Sequence, residues 1–106
     1  MVVSRFDVYL IELDPAVGNE IKKTRLCVVV SPNEMNCLKT VLIAPMTTKG
    51  FHAPSRVELL FQDKTGLVLL DQLRSVDKSR LVKKLGTIDA KTQKMIAATL
   101  VNMFEM

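Results

Sequence analysis

The chain has 106 residues, 48% of them hydrophobic and 25% charged, and a net charge of +4. That is apolar material for one core, which predicts a single domain over residues 1–106 and excludes a multidomain enzyme or a linker-rich chain. No apolar run approaches the ~20 residues that span a bilayer, and the start, Met1 to Arg5, lacks a signal-peptide pattern, so a mature cytoplasmic protein is expected.

The elements follow in chain order. Val8 to Leu13 is β-branched and aromatic enough for a strand, and Asp14-Pro15 ends it because proline has no amide hydrogen for a ladder. Residues 16–24 read as a polar loop. Leu26 to Val30 is a continuous apolar run stopped by Ser31-Pro32, the pattern of a central strand buried on both faces. Asn33 to Asn36 reads as one helical turn. Thr40 to Ala44 reads as a third strand stopped by Pro45, which delivers Met46 to Gly50 into a loop.

Arg56 to Phe61 alternates polar and apolar residues as a half-exposed strand does, Gln62 to Gly66 reads as a turn, and Leu67 to Leu70 as a fifth strand. Asp71 to Ser75 either continues it or bends away. Lys83 to Ile88 is the last expected strand. Asp89 then offers a carboxylate to the free amides of a helix, and Lys91 to Met106 contains neither glycine nor proline. On that helix Thr92, Ile96, Leu100, Met103 and Phe104 share one face. The expected fold is mainly β with a C-terminal helix, a small twisted antiparallel sheet or half-open barrel.

The basic charge comes in two blocks. Residues 20–51 and 71–88 each carry +3, whereas residues 1–19 carry −2. If the blocks converge in the fold, they form a groove attractive to a polyanion; otherwise they are solvated surface.

Several chemistries are absent. A lone histidine, His52, supplies no acid–base pair, and Cys27 and Cys37 have no neighbouring histidine for a zinc signature. Phosphate-cradling glycine loops and the serine-nucleophile elbow are missing too. Phe51 and His52 form either an exposed pair or a stacking surface for an unpaired base.

What remains are polar groups at the mouths of apolar strands, where a sheet holds them fixed. Arg25 opens the central strand and is either a bidentate phosphate donor or an edge partner of Glu20 or Asp71. Thr47 follows the third strand and can offer a hydroxyl to the same anion. Glu20, in the preceding loop, is a general base if the loop closes over substrate, and a surface carboxylate if not. Asp71-Gln72-Leu73-Arg74 either reads splayed base edges or forms a polar corner.

Four stretches taken together resemble the MazF/PemK ribonuclease toxins of bacterial toxin–antitoxin systems. They are Asp7 to Pro15 with Gly18 and Glu20, Thr24 to Ser31, Ala44 to Thr48, and Leu70 to Asp77. The chain departs from that family at Leu26, where proline is common, and at Phe6, where glycine is common. Asn19 and Leu69 stand where one branch has a histidine and an arginine.

The resemblance implies an SH3-like barrel working as a homodimer that cuts single-stranded RNA without metal or cofactor. It places Arg25 and Thr47 on the catalytic positions, Glu20 on an assisting acid, and Asp71 on an aspartate used as base or in base recognition. Lys22, Lys23, Thr48 and Lys49 are the expected phosphate-chain contacts, and Asp71, Gln72 and Arg74 the expected base readers. An antitoxin is the expected inhibitor, with operator DNA reached only through it and no membrane partner. The alternative is a gyrase-binding toxin of the CcdB type, which shares the fold but carries a tryptophan at the end of its helix; this chain has none. A non-catalytic RNA-binding module is the third possibility.

Overall fold

The computed structural model describes residues 2–13 and 24–105. Among the described residues seven strands and one α-helix follow in order: β1 (Asp7–Glu12), β2 (Thr24–Val29), β3 (Thr40–Thr47), β4 (Arg56–Phe61), β5 (Lys64–Leu69), β6 (Arg74–Asp77), β7 (Leu81–Thr87) and α1 (Ala90–Phe104). All strand pairings are antiparallel, in the order β4-β5-β3-β2-β1-β7, with β6 also on β3. Among the described residues, no helix is long and apolar enough to cross a membrane.

β2 is central and buried on both faces, as its unbroken apolar run predicts. Alternation sends Cys27 and Val29 into one cluster with Tyr9, Ile11, Val41, Ile43, Val76 and Leu81. Val28 and Val30 enter a second cluster with Val57, Leu59, Val68 and Leu70, which Ile96 of α1 covers. The sheet therefore curls into a half-barrel with the helix on one face. The Asp89 carboxylate caps α1 by accepting from the Thr92 amide at 3.1 Å. Thr92 and Ile96 are buried and Leu100 and Met103 pack beside them, but Phe104 is 68% exposed and leaves the face expected for it.

Two strand assignments are corrected. β3 does not stop at Pro45 but runs on to Thr47. The amide of Val30 donates to Leu42 O at 2.9 Å, so by alternation Val28 and Ala44 form a hydrogen-bonded pair and Cys27 and Pro45 do not. The Pro45 nitrogen thus faces the other side of β3. There the strand changes partner, from β6 along Thr40–Ile43 to β5 along Met46 and Thr47, and no ladder bond is lost. The second correction is the Gln62–Gly66 turn, which is only Gln62 and Asp63, both at positive φ as a tight hairpin requires; Lys64 to Gly66 already belong to β5.

Phe6, where the resemblance expects glycine, has φ 72°. Its amide donates to Val29 O at 2.7 Å and its carbonyl accepts from the Ile88 amide at 3.0 Å, which holds the left-handed conformation despite the side chain. Next to it, Asp7 is buried but satisfied. Its carboxylate accepts from the Ser4 amide and the Thr87 hydroxyl and pairs with Lys84 at 3.4 Å.

Candidate RNA-cleaving site

The site begins with register. Cys27 lies opposite Pro45 in the last pair of the β2–β3 ladder, and Arg25 and Thr47 each stand two residues beyond that pair on their own strands. Pleat alternation directs Arg25 to the face of Cys27 and Val29, and Thr47 to the face of Pro45 and Ile43. β6 adds Arg74, opposite Ile43 on β3. Burial pushes the Cys27 thiol up to about 12, while Arg25 and Arg74 both draw it down. One arginine from each basic block thus lies on a strand that flanks β3. Among the described residues the Arg25 guanidinium has no ion-pair partner, and the side chain is exposed.

Thr47 is fixed from three directions. Its Oγ1 accepts a hydrogen bond from the Lys49 amide at 3.1 Å, which leaves the hydroxyl proton free to donate outward. Behind it, a Cβ at Gly66 would lie 2.8 Å from the Thr47 carbonyl oxygen, so β5 approaches β3 this closely only because residue 66 has no side chain. In front, Gly50 at φ 128° turns the chain back, and its Cβ position is 3.7 Å from Thr47 Cγ2 and 3.4 Å from Arg56 Nη1.

Arg56 ties this loop down. Its Nε and Nη2 donate to the two oxygens of Asp71 at 3.2 and 3.3 Å, and Nη1 donates to Phe51 O at 3.2 Å. The guanidinium also stacks under the Phe51 ring, 4.5 Å from its centroid. The hydroxyl of Ser55 donates to Asp71 as well. The Arg56 hydrogen bond, first among these contacts, holds the Asp71 carboxyl below the usual carboxylate range. Of the two partners expected for Arg25, Asp71 is therefore taken by Arg56. His52 points elsewhere, toward Glu58 at 3.8 Å.

Residues 4–104 match the family described as PemK-like, MazF-like toxin of type II toxin-antitoxin system. The chain belongs to this family. It is 32% identical over 96 residues to Endoribonuclease EndoA of Bacillus subtilis, covering 84% of this chain and 83% of that one. A crystal structure of MazE-MazF from Deinococcus radiodurans superposes with a TM-score of 0.83 at 25% identity, over 100% of this chain and 98% of that chain. An endoribonuclease in complex with its cognate antitoxin from Mycobacterial species gives 0.79 at 25% identity, over 94% and 92%.

In this PemK/MazF chain the remaining expected residues are spread unevenly. Thr48 and Lys49 sit exposed in the loop after Thr47, and Gln72 is exposed in the 3-10 turn Leu70–Gln72. Glu20, Lys22 and Lys23 lie outside the described residues. Part of the second basic block is structural: Arg80 donates to Glu12 O and Leu13 O, Lys78 to Asn36 O, and Lys84 pairs with Asp7. A cavity of roughly 130 Å³ opens beside Thr47 and Thr48 but is walled by Leu26, Met46, Leu59 and Phe61, and it suits apolar groups better than a phosphate. Among the described residues no cluster of histidine, cysteine or carboxylate side chains could hold a metal ion. Sequence reasoning assigned no role to Arg56, Gly50 or Gly66. Nothing in their spacing marks them, because each acts through a contact made across the fold.

Proposed function

We propose that this toxin-family chain is a sequence-selective endoribonuclease that cuts single-stranded RNA through the RNA's own 2′-hydroxyl. The hydroxyl loses its proton and attacks the adjacent phosphorus, the bond to the 5′ oxygen breaks, and that oxygen takes up a proton. The products are a 2′,3′-cyclic phosphate and a 5′-hydroxyl. Because the nucleophile belongs to the substrate, the reaction needs no metal-bound water, and DNA resists it.

Arg25 neutralises the charge that grows on the phosphoryl oxygens, Thr47 donates its hydroxyl to the same phosphate, and Glu20 serves as the base. Lys22, Lys23, Thr48 and Lys49 follow the phosphate chain, and Gln72, Arg74 and Asp71 act on the flanking bases. The placing of Arg25 and Thr47 just past the Cys27–Pro45 pair on neighbouring strands, with Arg74 opposite Ile43, supports this reading: two guanidinium groups and a positioned hydroxyl suit a phosphodiester. The functional unit is a homodimer in the cytoplasm, and a cognate antitoxin occupies the same basic face to silence it. The similar proteins, an endoribonuclease and an endoribonuclease in complex with its cognate antitoxin, support the nuclease and the antitoxin.

The test is incubation of the purified protein with a defined single-stranded RNA in excess chelator, followed by mapping of the ends. Cuts carrying a cyclic phosphate are expected. No cutting over varied sequences, or cutting only with metal, rejects the proposal.

A further inference from the structure

We propose that Phe51, seated on Arg56, is a stacking platform for an unpaired base next to the scissile phosphate, which makes it a specificity-determining residue for the reaction proposed above. The inference rests on that reading of the Arg25 and Thr47 site.

Three features support it. The Phe51 ring is 70% exposed although it is one of only four phenylalanines in the chain. An exposed aromatic of this kind is ordinarily mobile, but here one face lies on the Arg56 guanidinium at 4.5 Å, and that guanidinium is fixed by both oxygens of Asp71 and by the Phe51 carbonyl. The ring is thus held in one orientation with its other face open. A rigid π-face costs little entropy when a base stacks on it.

Position is the second feature. Gly50 has Thr47 Cγ2 on one side and Arg56 Nη1 on the other, both within van der Waals contact of its Cβ position. Thr47 and the guanidinium beneath the platform therefore both lie against the same residue, Gly50. A base one nucleotide from the scissile phosphate is within reach of the ring.

The third feature is charge. Asp71 neutralises Arg56, and the Arg56 side chain is only 12% exposed, so this guanidinium is not a phosphate donor. It serves the ring. Asp71 then acts on base selection as a positioning residue, through Arg56 and Phe51.

The experiment uses the full chain. The cut site is mapped first, and an RNA of that sequence is made with a 2′-deoxy nucleotide at the cut, so that it binds without reacting. 2-Aminopurine is placed in turn at each position flanking the cut. Wild type is expected to quench the probe at one position, Phe51→Ala to release that quenching and weaken RNA binding roughly 5- to 150-fold, and Phe51→Trp to restore both. With cleavable RNA, the loss should fall on KM more than on kcat, and the preference at that one position should relax. The ring is exposed, so truncation leaves the core intact; far-UV circular dichroism checks this.

Equal binding by Phe51→Ala and wild type, with wild type still cutting, overturns the platform and spares the nuclease. Loss of antitoxin capture alone, with RNA binding retained, assigns the ring to a protein partner and also overturns it. A wild-type protein that neither binds nor cuts RNA removes the nuclease reading, and the platform with it.

Discussion

The carbonyl oxygen of Thr47 lies where a β-carbon at Gly66 would come within 2.8 Å of it, so the backbone of β5 presses directly against the residue that ends β3. This contact sets where Thr47 stops and where the loop of Thr48 and Lys49 begins. Gly66→Ala must push the strands apart, because the obstruction is backbone rather than a flexible side chain. Thermal unfolding should show a loss of about 1–3 kcal/mol, as overpacking does, and RNA cleavage at a temperature where the variant remains folded should fall below wild type. Unchanged stability and cleavage would show that Thr47 is placed by other contacts.

Arg25 is exposed, and the proposed function gives it a part in reaction rather than folding. Arg25→Ala should keep the wild-type melting temperature and lose roughly 10²–10³-fold in cleavage rate, the cost of removing one donor to a developing oxyanion. Arg25→Lys keeps the charge without the planar fork and should recover part of the rate. Equal recovery by lysine and arginine would mean that charge alone is used.

The two cysteines should react very differently. The Cys27 thiol is buried and raised to about 12, so almost none of it is thiolate at neutral pH, whereas Cys37 is exposed. An alkylating reagent is expected to modify Cys37 alone in the native protein and Cys27 only after unfolding. Rapid native labelling of Cys27 would contradict the packing assigned to the Arg25 face.

Much of the fold was legible in the sequence, for identifiable reasons. β2 was readable because both faces are buried and its apolar run is unbroken, and α1 because Asp89 caps it and a 3.6 period follows. β6 was not: three of its four residues are exposed, and only Val76 enters the core. Pro45 misled because a proline is tolerated in a strand when its nitrogen faces away from the ladder, and that depends on register. For the same reason Arg25 and Thr47 were each visible at a strand mouth, while the pairing of their two strands as far as Cys27 and Pro45 was not. Arg56 was illegible as a site residue, since its partner Asp71 is 15 positions away along a hairpin.

Acid should release the loop. Arg56 holds the Asp71 carboxyl below its ordinary range, so the folded-state value is depressed relative to the unfolded one. The stabilisation from this pair is fully present above the unfolded carboxylate range and is lost as pH falls through the depressed folded value. Ring proton shifts of Phe51 followed by NMR should stay constant from neutral pH down through the ordinary carboxylate range and move only below it. Asp71→Asn should show the released shifts at neutral pH. Shifts that titrate at the ordinary carboxylate value would mean the pair is not closed in solution.

The most direct measurement is single-turnover cleavage of a mapped single-stranded RNA in excess chelator, comparing wild type, Arg25→Ala and Thr47→Ala and analysing the new ends. The account predicts 2′,3′-cyclic phosphate and 5′-hydroxyl ends from wild type, severe rate losses in both variants, and no cut when the nucleotide before the break is 2′-deoxy. Cleavage of the deoxy-substituted strand, or full activity without Arg25, would contradict it.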